Sequence, residues 1–223
     1  MASKHHSNKK NIKNFATMLK MKGHEEGQED IVIYNGIYRV QIPIIRKESR
    51  RPAGVSEVLN LMLEGKLNDK EVYYTASGIA YVGKNIEGFK VVPFSQDLAT
   101  LSESVNEILL SEEQYRSIPT EEFTRFSRHV HIDWRMSEKE AIDNPILLEL
   151  FKEDGDALGR CVRENFRKVH DAYEEKLAMG IFIKGPQKGA RLDVIYLYGL
   201  EGRYDILDGN LFDPCSIVGL PLR

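Results

Sequence analysis

The densest group of potential ligand side chains lies at residues 128–135, in the run Arg-His-Val-His-Ile-Asp-Trp-Arg. If this run is a β-strand, side chains two positions apart share one face. One face then carries three potential ligands, which are His129, His131 and Asp133. The other face is apolar and consists of Val130, Ile132 and Trp134. Neighbours on one face are about 7 Å apart, so the two imidazoles and the carboxylate can converge on one divalent ion.

A helix is the alternative conformation for the same segment. Apolar residues recur there at helical spacing, namely Phe123, Phe126, Val130 and Trp134. A helix points the two histidines in different directions, which makes them ordinary surface or boundary residues. The sequence leaves both conformations open, and the metal site requires the strand.

The His-Val-His pattern at 129–131 resembles the metal motif of HUH endonucleases, which nick single-stranded DNA at replication origins through a tyrosine on a helix. Downstream, Tyr173-Glu174-Glu175-Lys176 is similar to the Tyr-x-x-Lys motif that many of these enzymes carry. The resemblance implies that His129 and His131 are metal ligands. It also implies that Tyr173 is the nucleophile and Lys176 a charge stabiliser, with the metal polarising the scissile phosphate.

The helix that contains Tyr173 supports a different interpretation of this residue. From about Ala157 to Met179, with Gly180 as the stop, one face is apolar: Leu158, Val162, Phe166, Val169, Tyr173 and Leu177. A tyrosine on such a stripe is a core residue by default. The outer face carries an arginine row of Arg160, Arg163 and Arg167. Opposite charges four residues apart pair Arg160 with Glu164, Glu164 with Lys168 and Arg167 with Asp171, so we expect a self-paired solvated face.

One further acidic residue is a candidate for metal-dependent catalysis. Asp193, followed by Glu201-Gly202-Arg203, is faintly similar to the acidic and basic spacing of metal-dependent nucleases. However, Gly199 and Gly202 place Glu201 in a turn, away from the geometry that a strand would hold.

The pattern of elements predicts an α+β fold with N-terminal β-hairpins, a helical middle and a C-terminal antiparallel β meander. Hairpins are predicted at 31–42, around Asn35-Gly36, and at 71–82, around Ala76-Ser77-Gly78. Helices are predicted from Val55 to a stop at Gly65, from Ser95 through Ile108, and after three further start signals at Ser111, Ser137 and Asn144-Pro145. The meander comprises strands at 181–184, 192–198 and 203–207, before a turn at Asp208-Gly209 and a short apolar tail.

Residues 1–30 are predicted to be a polar tail, and residues 31–223 a single α+β domain. Six lysines precede the first carboxylate of the chain: Lys4, Lys9, Lys10, Lys13, Lys20 and Lys22. These lysines are the candidate nucleic-acid contacts, because clustered positive charge attracts phosphates. An apolar spacing within the tail (Ile12, Phe15, Met18 and Leu19) also permits a short helix ordered by a partner.

Composition narrows the classes of function that fit the chain. The 223 residues carry a net charge of −3, so any affinity for nucleic acid must come from a local patch. The two cysteines, Cys161 and Cys215, suit a reducing compartment, and no apolar run reaches the ~20 residues of a membrane span. We therefore expect a cytoplasmic, non-enzymatic binding or assembly protein, with no cofactor and no membrane contact. Its expected partners are another protein or its own copies, and nucleic acid at the tail. The alternative is the metal-dependent nicking enzyme.

Overall fold

Strands and short helices follow one another along the chain. The computed structural model describes residues 31–82, 88–124, 134–152, 154–173, 179–183, 190–200 and 203–222. The described strands are β1 (Val32–Ile37), β2 (Arg50–Pro52), β3 (Val72–Tyr81), β4 (Gly88–Val92), β5 (Ile108–Leu109), β6 (Glu122–Thr124), β7 (Trp134–Met136), β8 (Met179–Phe182), β9 (Arg191–Leu200), β10 (Arg203–Gly209) and β11 (Pro214–Pro221). The described helices are α1 (Tyr38–Lys47), α2 (Val55–Leu63), α3 (Gln96–Ala99), α4 (Glu112–Ser117), α5 (Glu138–Ile142), α6 (Pro145–Leu150) and α7 (Gly155–Tyr173).

All described strands belong to one mixed sheet. Its main order is β1-β11-β3-β9-β10-β8-β7, while β2 pairs with β11, β4 with β3, β5 with β9 and β6 with β4. The β11–β3 and β10–β8 pairs are parallel, and the other pairs are antiparallel. The predicted α+β class is confirmed. In the part of the chain that the structure describes, no helix is long and apolar enough to cross a membrane.

Each face of the sheet packs against its own set of helices. On the first face, α2, α5, α6 and α7 enclose a core that includes Leu59, Val162 and Ile195, all fully buried. On the second face, α1, α3 and α4 cover a smaller core that includes Ile42, Leu98 and Val194. Alternation along β9 sends Ile195 to one face and Val194 to the other, which is why its sequence is apolar at successive positions.

Several predicted helix boundaries are confirmed. The α2 helix buries Val55, Val58, Leu59 and Met62, and the chain leaves it at Gly65, whose φ of +70° favours glycine. The Ser111 and Ser137 side chains each accept a hydrogen bond from the backbone N–H three residues later. Asn144 likewise accepts hydrogen bonds from Ile146 and Leu147 at the start of α6.

The predicted hairpin at 31–42 is wrong, because the chain continues straight through Asn35-Gly36. Gly36 lies in β1 opposite Cys215, and a helix begins at Tyr38. Tyr38, Ile42 and Ile45 fall on one face of α1 and are fully buried, although Pro43 lies inside the helix. This burial outweighs the local turn signal, whose glycine instead takes a φ of +149° at the end of β1.

The predicted hairpin at 71–82 is also wrong. Residues 72–81 form one continuous strand, β3, whose register against β9 shifts between Tyr74 and Gly78. The intervening Ala76 exchanges backbone hydrogen bonds with Ala53 and Ser95 instead, at 2.8 and 2.7 Å. The small residues at 76–78 therefore mark a bulge rather than a turn.

Three other predicted elements differ in extent. The helix after Ser95 ends at Ala99, and the chain then leads to the short strand β5. Met179 and Gly180 lie in β8 instead of ending the long helix. β9 and β10 pair in antiparallel fashion as predicted, but β8 joins β10 in parallel. The predicted apolar tail after residue 209 is strand β11, which lies between β1 and β3 and buries Ile217 and Val218 fully.

Candidate functional site

Most residues predicted to carry chemistry lie outside the described residues. This holds for His129, His131, Asp133 and Lys176, and for Lys4, Lys9, Lys10, Lys13, Lys20 and Lys22. Tyr173 is the last residue of α7, and its side chain also lies outside the described set. The neighbouring Trp134–Met136 segment is extended as β7, but residues 128–133 are not described, so the metal site and the nicking chemistry stay predictions. Within the described ranges, no three His, Cys, Asp or Glu side chains are grouped to hold a metal ion.

A surface that the sequence did not indicate lies on the second face. The helices on this face lie over one half of the sheet, because α1 contacts β1 and β11 and α3 contacts β3. Towards the other edge, β9, β10, β8 and β7 present a mixed set of side chains, which we call the open sheet face: Tyr196, Tyr198, Asp205, Leu207, Phe182 and Arg135. Sequence reasoning missed it because its residues come from four strands, two of which pair across a long sequence separation.

Strand register places the open sheet face in two rows. Tyr196 lies opposite Leu207, which lies opposite Phe182, so one row is apolar across three strands. In the next row Tyr198 lies opposite Asp205. Tyr198 is 37% exposed, while Tyr196, Leu207 and Phe182 are partly exposed. The only sequence signal for this surface is the pair of tyrosines two positions apart in a strand, which must share a face.

One end of the open sheet face is held rigidly by stacked rings. The Tyr196 ring lies parallel to that of Tyr74, with centroids 4.8 Å apart. The Tyr74 hydroxyl donates a 2.8 Å hydrogen bond to Asp213, and burial, followed by that hydrogen bond, raises its pKa well above the usual value. Gly209 lies beneath both rings, where a Cβ atom would come within 2.9 Å of each. The stacked rings of Tyr196 and Tyr74 are therefore held in place before any partner binds.

An ion pair fixes the other end. Arg135 on β7 donates to Asp205 on β10 over 3.1 Å, and the backbone N–H of Gly180 donates to the same carboxylate over 2.9 Å. The Asp205 side chain is only 8% exposed, so its charge is largely shielded from water. This pair crosses β8 and ties the edge strand β7 to the centre of the sheet.

The first face contains a row of partly or fully buried polar side chains at the opposite end of the same strands. Arg191 donates to Asp193 over 2.8 Å, and the Tyr81 hydroxyl donates to Asp208 over 3.2 Å. Tyr81 pairs with Arg191 across β3 and β9, and the row extends onto β10 through Asp208. The residue Asp193 was a sequence candidate, and its basic neighbour here is Arg191.

The carboxyl group of Asp193 in this row has a raised pKa. Burial raises its pKa from 3.8 to about 6, Arg191 opposes that change, and the nearby Asp208 and Glu107 add to it. Asp193 can therefore bind a proton close to neutral pH. The nearby Tyr81 hydroxyl is also buried, and burial raises its pKa above the usual value.

The arginine row of α7 is only partly self-paired. Arg167 contacts both Glu164, at 2.6 Å, and Asp171, at 3.7 Å, and the second of these pairs was predicted. The predicted Arg160–Glu164 and Glu164–Lys168 pairs are not formed, because Glu164 turns to Arg167 while Lys168 contacts Asp69 at 3.1 Å. Arg160 makes a single long hydrogen bond to Asn60, at 3.5 Å. The expectation of a self-paired face therefore holds for Arg167 alone.

Comparison with known proteins gives no relative from which a function could be transferred to this chain. No protein-family model, no curated protein and no solved structure matches the chain.

Proposed function

We propose that this chain is a non-enzymatic assembly protein that contacts another protein, in the first instance a second copy of itself, through the open sheet face. The observation that carries the proposal is the preorganised apolar row of Tyr196, Leu207 and Phe182 beside the exposed Tyr198. Aromatic side chains and arginine are enriched where protein interfaces bind most strongly.

The stacked rings and the ion pair support a protein partner. Tyr196 is immobilised by Tyr74, so little side-chain entropy remains to be lost on binding. Arg135 and Asp205 already neutralise each other. A partner that covers this ion pair therefore buries two paired charges rather than an unpaired one. The face is also built on strands rather than loops, which keeps its shape defined.

The basic tail is the second contact in this proposal. Its lysines would bind nucleic acid weakly and with little sequence preference, because they interact with phosphates. Neutralising Lys9, Lys10 and Lys13 together should lower the slope of log affinity against log salt by about 2 to 3, measured by fluorescence anisotropy with labelled DNA. An unchanged slope would remove the tail from the proposal. The expected location remains the cytoplasm, which is supported by two cysteines that are both free thiols.

Sedimentation velocity over a concentration series tests the assembly surface. We expect the wild type to associate, and the double variant Tyr198→Ser/Phe182→Ser to remain monomeric. The matched control is Leu109→Ser, which removes the most exposed large apolar side chain in the described residues, at 64% exposure, from outside the face. Equal association of all three proteins would refute the open sheet face as the interface.

A wild type that is monomeric at every concentration would refute self-assembly and leave a different protein as the partner. A photoreactive amino acid in place of Tyr198 would then be crosslinked in the producing cell, with the same residue at Leu109 as the control. The proposal requires one defined adduct from position 198 that is absent at 109 and lost when Phe182→Ser is added. Without such an adduct, the proposed function is wrong.

A further inference from the structure

A groove on the first-face side of the molecule separates α2 from α7. It has a volume of about 520 Å³, within the range of small-molecule sites. The α2 wall contributes Asn60, Leu63 and Glu64, and the α7 wall contributes the arginine row. The groove is independent of the open sheet face, because α2 and α7 pack on the opposite side of the sheet.

The two carboxylates in the groove are already neutralised by other cations. Glu64 contacts Lys66 at 2.8 Å, and Glu164 contacts Arg167 at 2.6 Å. The hydrogen bond from Arg167 lowers the pKa of Glu164, so that group stays ionised and bound to its partner. Asp154, the residue before α7, accepts hydrogen bonds from Asn60 and from the backbone of Ala157.

Arg160 and Arg163 are therefore the cations left over. Arg163 is exposed, and among the described residues its guanidinium makes no hydrogen bond or ion pair. Its guanidinium lies alongside Gly159, where a Cβ atom would come within 3.2 Å of Nη1. Arg160 is also exposed, and within the described ranges its one hydrogen bond is the 3.5 Å contact with Asn60. Residues three apart are neighbours on a helix surface, so both positive charges lie on the side of α7 that lines the groove.

We infer that the α2–α7 groove binds a phosphorylated small molecule, with its phosphate groups held by Arg160 and Arg163. Guanidinium groups bind phosphate oxygens in a bidentate manner, and their fixed charge persists at every physiological pH. Asn60 lies across the groove within reach of Arg160, and Leu63 supplies an apolar wall for the uncharged part of the ligand.

Isothermal titration calorimetry of the full chain with inorganic pyrophosphate tests this inference. We expect saturable binding that Arg163→Gln and Arg160→Gln each weaken by about tenfold, the effect of removing one charged hydrogen-bonding partner. The matched control is Arg116→Gln, which removes the same charge from an exposed ion pair on α4. Thermal unfolding of each variant checks that the fold is intact, which we expect because all three arginines are exposed.

Three results would overturn the inference. Absence of pyrophosphate binding to the wild type excludes the site, and an equal loss in Arg116→Gln shows general charge attraction instead. A third is single-stranded oligonucleotide binding that depends on Arg163 and is tighter than pyrophosphate binding, which would assign the groove to a nucleic-acid backbone. None of these results bears on association through the open sheet face, so the two proposals fail separately.

Discussion

Substituting Asp193 with asparagine should stabilise this protein at neutral pH. Burial raises the pKa of this carboxyl group from 3.8 to about 6, against the opposing effect of Arg191. The folded protein therefore binds the proton more tightly than the unfolded chain does. The resulting stabilisation is complete below about pH 4 and is lost as the pH rises through about 6.

The magnitude follows from the two pKa values. Each unit of pKa is equivalent to about 1.4 kcal/mol, so ionising Asp193 costs the folded state about 3 kcal/mol at high pH. Asparagine stays neutral and approximates the protonated acid. Relative to the wild type, Asp193→Asn should therefore gain about 2 kcal/mol in free energy of unfolding between about pH 4.5 and about pH 7.5.

Urea unfolding of both proteins across this pH range measures the effect. The difference in free energy of unfolding between the two proteins isolates the contribution of Asp193, because the other groups titrate alike in both. The same substitution at the exposed Asp143 reports how much a change of one unit in net charge contributes by itself. A difference between wild type and Asp193→Asn that does not vary with pH would refute the raised pKa. A variant that loses stability as pH rises would show that the contact with Arg191 outweighs burial.

Four further outcomes are expected. Gly209→Ala should lower the free energy of unfolding in urea by about 1–3 kcal/mol, because its Cβ would lie 2.8–2.9 Å from the stacked Tyr196 and Tyr74 rings. The control Gly155→Ala has open space around it and should leave the free energy of unfolding unchanged. Cys161 should resist alkylation in the native protein, as read by mass spectrometry, because it is buried and burial raises its pKa to about 12; rapid native labelling would contradict this. Deletion of residues 1–30 should leave the free energy of unfolding unchanged, and a loss of folding would show that the tail belongs to the domain. If the nicking hypothesis is correct, the wild type will cleave single-stranded DNA in a metal-dependent manner and Tyr173→Phe will not; cleavage by neither protein leaves the assembly proposal standing.

Local signals in the sequence were reliable where the chain interacts with its near neighbours. The caps at Ser111, Ser137 and Asn144 each need only a side chain and a backbone N–H two or three residues away, so their positions can be predicted from a few residues. The same is true of α2, whose apolar spacing and terminal Gly65 define both its face and its end. The α+β class also follows from such local patterns.

Long-range pairing could not be inferred from the same patterns. Asn35-Gly36 and Ala76-Ser77-Gly78 are typical turn sequences, yet both lie within strands. The first pairs directly with β11, and the second lies at a register shift where β3 pairs with β9. The apolar C-terminal segment became a central strand for the same reason, since it buries Ile217 and Val218 between β1 and β3. Burial of a full strand outweighs the preference of two or three residues for a turn.

By itself, then, the sequence determined the fold class, the helix caps and the chemistry available to the predicted sites. Only the tertiary structure decided which side chains meet. Tyr198, Leu207 and Phe182 share a surface because β8 pairs in parallel with β10, and Arg160 lacks its predicted carboxylate because Glu164 turns to Arg167. Both outcomes depend on competition among several possible partners, and that competition is settled by the packing of the whole sheet and its helices rather than by the residues next in sequence.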